Sequence, residues 1–295
     1  MPRIFAAGPL AALLLAGLIG ASPSAAQEVV AVITSAQGPY EAAYASFVKT
    51  FGREVTVLRL PGRLPSASTR TRVFVAFGGG AAAQTYPENA TLIACLAPGT
   101  SPRLRHDGPF VFVTMKPAPK RLLTELRRLQ PGLKRLAALS NARDTDSYLA
   151  DLKRTAAALD IEIIAPRASG ANAVPEALRL LLTAKADALW LAPDPSLVTP
   201  ENFQAIKQFS WDNDIPFYAP TRGLAAAGAT AAVSVSAEEE GRLTAELARR
   251  ALAGETLPEL VYQERTTLTV NLESAQKTGL KINPSALGKD VEVIH

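Results

Sequence analysis

Short apolar runs alternate with amphipathic, helix-like segments along most of the chain. Apolar residues between Tyr40 and Phe51 recur at i, i+3, i+4 and i+7, which predicts a helix that starts after Pro39 and ends at Gly52. Predominantly apolar runs without charged residues, bounded by Gly, Pro and Ser, are typical of strands buried on both faces. In the first half these strand candidates are Val29–Ile33, Val55–Leu58, Val73–Phe77, Thr91–Leu96 and Phe110–Met115.

The same alternation resumes after Lys116–Pro119, a proline-rich break that we interpret as a crossing between two lobes. Strand candidates follow at Leu136–Leu139, Ile161–Ala165, Ala188–Leu191, Pro216–Tyr218 and Ala231–Val235, and later come a helix at about Ser236–Leu252 and a strand at Leu268–Asn271. The pattern predicts an α/β protein of two hinged Rossmann-like lobes, each with a parallel sheet. We expect lobe 1 to hold residues 27–117 plus about 237–262, and lobe 2 residues 118–236 plus about 263–295. Residues 61–72 are predicted to be irregular.

The N-terminus has the features of an export signal. Arg3 precedes an apolar core at Leu10–Gly20, and small residues at Ser24–Ala26 precede Gln27. Such a core is too short to span a bilayer, so residues 1–26 are predicted to be a cleaved signal peptide. In a bacterium the mature protein would then be periplasmic, with no stable membrane insertion after cleavage.

Composition argues against several functional classes. The net charge is +4, but the basic residues are scattered and carry no interleaved aromatic stripe, so a nucleic-acid partner is not expected. Cys95 lies in an apolar run, and it cannot form a metal site with only His106 and the terminal His295. No G-x-S-x-G occurs for a hydrolase that would use His106. No metal and no cofactor are therefore predicted.

A glycine turn, Gly78–Gly80, follows the third strand. With Ala81–Ala83 it formally matches G-x-G-x-x-A, but the acidic residue of a dinucleotide site is missing from the region after Ala97. Two interpretations remain open: the turn presents backbone N–H groups to a polar ligand, or it is purely structural. Similar polar loops follow the other strands, and in open parallel sheets such loops share one edge. Two such edges facing each other would form a ligand cleft.

The second half resembles a known family. The carrying segments are Ala186–Ser196, Asp214–Pro220, Gly228–Leu260 and Val270–Ile282. They are similar to the Thr-Asp-Asn turn, the GIPVF strand and the INL-x-x-A-x-x-LG ending of bacterial ABC-transporter substrate-binding proteins of the tryptophan/tyrosine-binding type. The resemblance implies a type I periplasmic binding protein fold and an inner-membrane ABC permease as partner. Members often carry Ser-Asp-Glu where this chain has Pro220-Thr221-Arg222, so Arg222 is either an anion receptor or a solvated arginine.

The predicted function is that of a periplasmic solute-binding protein that closes around a small polar ligand, aromatic or anionic, and delivers it to a permease. A ligand-sensing subunit for a membrane receptor, or a secreted enzyme on the same fold, are the alternatives. Tyr40 and Tyr148 are candidates to stack on a ring, although both also fit core positions. The predicted ligand-binding residues are Thr34, Ser35, Tyr40, Gly79 and Gly80 in lobe 1, and Asn141, Tyr148, Asp194, Ser196, Thr221 and Arg222 in lobe 2.

Overall fold

The computed structural model describes residues 28–62, 70–97, 106–141, 146–166, 168, 173–283 and 287–295. The predicted signal peptide, most of the predicted irregular connection and part of the polar loop after Asn141 lie outside these residues. The described strands are β1 (Val29–Ile33), β2 (Thr56–Arg59), β3 (Val73–Phe77), β4 (Thr91–Cys95), β5 (Phe110–Pro117), β6 (Arg135–Leu139), β7 (Glu162–Ile164), β8 (Ala188–Leu191), β9 (Phe217–Ala219), β10 (Ala231–Ser234), β11 (Leu260–Gln263), β12 (Thr267–Asn271) and β13 (Val291–Ile294). The described helices are α1 (Pro39–Phe51), α2 (Gly79–Ala82), α3 (Pro119–Leu129), α4 (Asp146–Ala157), α5 (Ala173–Thr183), α6 (Pro200–Asp212), α7 (Arg222–Ala226), α8 (Ala237–Leu252) and α9 (Leu272–Lys277).

Two sheets organise the chain, as the alternation of strands and helices predicted. The first has the order β11-β5-β4-β3-β1-β2, and its pairings are parallel. The second has the order β13-β12-β10-β9-β8-β6-β7, with β12 antiparallel to β10 and parallel pairings elsewhere. The two-lobed α/β fold class is therefore confirmed.

Both sheets are covered by apolar side chains on both faces, which is why strands such as β1, β3 and β8 consist of apolar residues. In the first sheet Val29, Ala31 and Ile33 face the side of α1 and α8, while Val30 and Val32 face the side of α2. The second sheet divides in the same way, with α5 and α6 on one face and α3 and α4 on the other. The core is thus built from alternating residues of the same buried strands.

Helix boundaries follow from capping residues. Pro39 occupies the first turn of α1, and Gly52 ends it in the left-handed conformation, with φ 71°. Ser236 caps α8 by accepting a hydrogen bond from the Glu239 N–H, and the acidic start and basic end of that helix suit its dipole.

Three short elements were not predicted. They are α7, β11 and β13, none longer than five residues. The strands β11 and β13 lie at sheet edges and contain a charged or polar residue, so they lack the uninterrupted apolar run that marks the central strands. The missed β13 is relevant to function because it brings Glu292 to the second lobe's sheet.

Helices α1 and α8 cross at a glycine. A Cβ atom added to Gly241 would lie 2.0 Å from the backbone oxygen of Ala43, which no real side chain tolerates. Gly241 therefore lets α8, which follows the chain's return from the second sheet, pack directly against α1 of the first. None of the helices in the described ranges combines the length and apolarity needed to span a bilayer.

We predict that Gly241→Ala lowers the free energy of unfolding by about 1–3 kcal/mol, since the added methyl group must push the two helices apart. Gly132→Ala is the matched control, because no atom lies within 4 Å of a Cβ built there. Urea denaturation of both variants measures the difference. An equal effect at the two positions would show that the crossing is not tightly packed.

Candidate functional site

The carboxyl edge of the first sheet joins Thr34 to the glycine turn. The hydroxyl Oγ1 of Thr34 accepts a hydrogen bond from the Ala81 N–H (2.8 Å), and the Thr34 N–H donates to the Phe77 carbonyl (3.0 Å). Gly78 adopts φ 99°, and a Cβ there would lie 2.6 Å from both Thr34 Oγ1 and Tyr40 Cε1. Only glycine fits this position, so Thr34, Tyr40 and Gly78 form one packed group.

The next two glycines present free backbone donors. In the described part of the chain, the N–H groups of Gly79 and Gly80 have no hydrogen-bond partner, since the helix bonds begin at Ala82 and Thr34 takes the N–H of Ala81. Gly79 is half-buried and Gly80 is exposed. Ser35 and Tyr40 are half-buried beside them. This edge can therefore donate hydrogen bonds to a ligand.

The second sheet brings three predicted residues together at its carboxyl edge. Asn141 follows β6, and Asp194 and Ser196 follow the neighbouring β8. Asn141 Nδ2 donates to Ser196 Oγ (2.9 Å), and Ser196 Oγ in turn donates to Asp194 Oδ1 (2.7 Å). The Ser196 N–H also donates to that oxygen, at 2.8 Å. A carboxylate is thus held in a fixed orientation at an accessible edge.

Thr221 and Arg222 lie at the end of β9. Thr221 caps α7, and Arg222 Nε donates to Glu292 Oε1 at 2.7 Å. Thr269 Oγ1 donates to the other oxygen of Glu292 (3.2 Å). The Arg222 side chain is 62% exposed, but a ligand anion would share it with Glu292. Sequence reasoning missed this pairing because β13 was not predicted.

Tyr148 lies apart from the other predicted residues. Its side chain is 1% exposed, and its ring packs against Trp190 (5.6 Å between centroids) and Tyr262 (5.5 Å). Its hydroxyl donates to the Pro117 carbonyl (3.0 Å), and burial raises its pKa well above the ordinary value. Of the two interpretations of Tyr148, its burial supports the core residue.

A buried glutamate at the first sheet's edge was not predicted. Glu240 Oε2 accepts a hydrogen bond from the Leu96 N–H at 2.9 Å, just beyond the end of β4. Burial is the main cause that raises its pKa to about 8. No sequence pattern marks this burial, because Glu238–Glu240 together look like a solvated helix start whose charge suits the helix dipole.

Other chemical groups are structural. Cys95 is fully buried, and burial raises the pKa of its thiol. His106 is buried at the opposite edge, where Nε2 donates to the Ala90 carbonyl at 3.2 Å, beside a cavity of about 680 Å³ that the starts of β4 and β5 line. Within the described ranges, no three His, Cys, Asp or Glu side chains could hold a metal ion.

Comparison with known proteins connects this arrangement to binding proteins. A family model described as ABC transporter substrate binding protein matches residues 119–294. Among solved structures, an ABC domain in complex with L-Trp from Streptococcus pneumonia is 16% identical with a TM-score of 0.59, covering 90% of this chain and 100% of that one. A ligand-free, open substrate binding protein with adhesive properties from Clostridium difficile is 16% identical with a TM-score of 0.64, covering 90% and 99%. A conserved domain protein from Vibrio cholerae is 14% identical with a TM-score of 0.60, covering 91% and 100%.

At these identities the structural likeness concerns the fold. A sequence comparison with curated proteins found no match. The family model covers more than half of the chain and includes the edge that carries Asn141, Asp194 and Ser196.

We predict that Thr34→Val lowers the free energy of unfolding by about 1–2 kcal/mol, because the Ala81 N–H loses its acceptor while the side-chain volume stays the same. Thr34→Ser keeps the oxygen and should lose less than half as much. Chemical denaturation compares the variants. Unchanged stability in Thr34→Val together with a loss in Thr34→Ser would assign the effect to the methyl group, which valine keeps, and not to the hydroxyl acceptor.

Proposed function

The chain belongs to the family of ABC transporter substrate binding proteins, and on that premise we propose that its ligand is a free amino acid or a close analogue. As a member of this family it is the solute-binding component of an ABC importer, with a permease as its partner. The proposal concerns the ligand, the residues that hold it and the way the lobes close.

The complementary chemistry of the two sheet edges carries the proposal. The first edge offers the backbone N–H groups of Gly79 and Gly80, which have no partner among the described residues and suit a ligand carboxylate. The second edge offers the oriented carboxylate of Asp194, which suits an ammonium group. An amino acid is a small molecule that carries both charges, and the similar structure from Streptococcus pneumonia holds L-Trp.

Closure of the two lobes is the proposed mechanism. The chain passes between the sheets after β5, after β10 and after β11, and the Ala118 N–H donates to the Gln263 carbonyl (2.7 Å) where two of these crossings meet. Rotation about this hinge would bring the two edges onto opposite ends of one ligand. The ligand stabilises the closed form because only that form satisfies both ends at once.

The remaining predicted residues have supporting roles in this proposal. Thr34 fixes the glycine turn, while Ser35 and the half-buried Tyr40 line the first edge beside it. Asn141 and Ser196 orient Asp194. Thr221 and Arg222 border the second edge, where the ion pair with Glu292 limits Arg222 to a shared role in holding an anion.

Thermal unfolding with a small ligand panel tests the proposal. We expect L-tryptophan or L-tyrosine to raise Tm by an amount that grows with concentration. Tryptamine, which lacks the carboxylate, and indole-3-propionate, which lacks the ammonium group, should shift Tm far less. Equal shifts for these truncated analogues would refute the two-ended recognition, and no shift with any amino acid would refute the ligand class.

Asp194→Asn keeps the acceptor for Ser196 but removes the charge, so we expect it to weaken amino-acid binding at least tenfold, the loss of one charge-assisted hydrogen bond. Asp212→Asn, at the exposed end of α6, is the matched control. Calorimetric titration measures both. Unchanged affinity in Asp194→Asn would mean that the ammonium group lies elsewhere.

We also propose that the protein is exported to the periplasm with cleavage before Gln27, as the apolar core at Leu10–Gly20 predicts. Family members act outside the cytoplasm, where a permease can receive their ligand. Expression of the full chain in a Gram-negative host, followed by N-terminal sequencing of the periplasmic fraction, should give Gln27 first. A protein that keeps Met1 and stays in the cytoplasm would contradict the export prediction.

A further inference from the structure

A buried carboxyl group lies behind the glycine turn of the first edge. Glu240 is in the first turn of α8, directly after the chain returns from the second sheet, and it is 1% exposed. Its Oε2 accepts the hydrogen bond of the Leu96 N–H at 2.9 Å. Burial of a carboxyl group costs free energy, so the group is expected to make a specific contact that offsets this cost.

The backbone of Leu96 adopts an unfavourable conformation that a hydrogen bond can stabilise. It has φ 52°, a left-handed conformation that is unfavourable for a residue with a branched side chain. Its N–H follows the last residue of β4, and Glu240 is the acceptor that receives it. The hydrogen bond therefore holds the chain in the conformation in which it leaves β4.

Leu96 is connected to the glycine turn through the residue that precedes it, Cys95, at the end of β4. The Cys95 carbonyl accepts a hydrogen bond from the Gly78 N–H at 2.8 Å, and Cys95 is the register partner of Phe77. A displacement of Leu96 would move this carbonyl, and with it the backbone that leads into Gly79 and Gly80. Glu240 thus acts on the proposed ligand donors through two hydrogen bonds.

We propose that Glu240 is a positioning residue for ligand binding, which holds the Gly78–Gly80 turn through the hydrogen bonds of Leu96 and Cys95. This inference rests on the proposed function for its ligand, because the turn it positions is the proposed donor edge. Glu240 itself is buried, and in the described part of the chain its side chain accepts its hydrogen bond from the Leu96 N–H.

The surroundings of Glu240 favour the neutral form. Burial raises its pKa to about 8, and the Leu96 N–H, which favours the charged form, opposes that shift only in part. Among the described groups, the buried Cys95 thiol on β4 is coupled to it electrostatically. Strand β3 has no titratable residue, and Lys116 of β5 lies over the Tyr148 ring.

The titratable residues of helices α1 and α8 also do not neutralise a negative charge on Glu240. On α1 they are Tyr40, Glu41, Tyr44 and Lys49, of which Glu41 pairs with Arg59. On α8 the neighbouring Glu239 pairs with Arg242 and Arg265. No nearby cation is thus among the causes that set the pKa of Glu240.

The sign of the pH effect follows from this raised pKa. When the contact opens, Glu240 meets water and titrates near its ordinary value, 4.5, whereas in the closed contact it titrates near 8. The Glu240–Leu96 hydrogen bond has its full stability below pH 4.5, loses stability as the pH rises from 4.5 to about 8, and changes no further above that. Within that window, opening should increase by up to about tenfold per pH unit.

Hydrogen exchange of the ligand-free protein, followed by mass spectrometry from pH 5 to 9, tests the positioning role. Glu240→Gln keeps an acceptor for Leu96 but cannot ionise, so comparison at equal pH removes the intrinsic pH dependence of exchange. Between about pH 5 and 8, we expect peptides that cover Gly78–Ala83 and Cys95–Ala97 to become less protected in the wild type than in Glu240→Gln. Above pH 8, the ratio of their exchange rates in the two proteins should stay constant. Glu238→Gln, an exposed neighbour, should follow the wild type.

The location of the change distinguishes positioning from general stability. Protection in peptides of β8 and β9 should be the same in the wild type and in Glu240→Gln at every pH. A pH-dependent difference that spreads equally over both sheets, or no difference at the glycine turn, overturns the inference.

Affinity for L-tryptophan gives a second measurement. Glu240→Leu fills the buried space without an acceptor, and we expect it to bind about five- to tenfold more weakly than Glu240→Gln at pH 6, the loss of one hydrogen bond. Equal affinities would overturn the positioning role. If L-tryptophan does not bind the wild type, the proposed ligand class fails, while the exchange measurement still decides whether Glu240 holds the turn.

Discussion

The register of the parallel strands is the constraint on which the candidate site depends. In the first sheet Ile33, Phe77 and Cys95 are register partners across β1, β3 and β4, so these three strands end at the same level. The residues that follow them must therefore lie side by side, which is how Thr34, Gly78 and Leu96 become neighbours. In the second sheet Leu139 and Leu191 are paired in the same way, and the loops with Asn141 and Asp194 meet. A slip of one residue would turn each strand's side chains to the opposite face and separate these loops.

The two edges belong to different lobes, so the connections between lobes decide how they can move. Pro117 and Gln263 are register partners at the ends of β5 and β11, and both precede a crossing. Tyr262 extends from β11 into the core of the second lobe, where its hydroxyl donates to Asp151 Oδ2 (2.8 Å). The third crossing leads into α8, which Gly241 brings against α1. In the described part of the chain these crossings lie together, while the loops proposed to hold the ligand lie at the strand ends.

Much of this arrangement could be predicted from the sequence because it follows from local patterns. Buried strands lack polar residues, and parallel strands end at a common edge, so the predicted loops around Thr34, Asn141 and Asp194 contain residues that the structure brings together in each lobe. For Tyr148 the sequence left a ligand-stacking and a core interpretation open, whereas the burial of Glu240 was not predicted at all. Tyr148 follows a polar loop but has an amphipathic side chain that the core accepts, whereas Glu240 sits in an acidic helix start that normally faces water. Glu292 was missed because an edge strand with a charged residue has no distinctive pattern.

The charges at the two edges explain why closure and recognition belong together. The first edge provides backbone N–H groups, whose partial positive charge binds an anion without a competing counter-ion. On the second edge Arg222 is already paired with Glu292, whereas Asp194 receives, among the described residues, neutral donors from Ser196, so the unpaired charge they leave there is negative. Neither edge alone can satisfy a ligand that carries both charges. In the proposed mechanism such a ligand would gain its second set of contacts only when the lobes close, and that gain would be the differential affinity that favours the closed state.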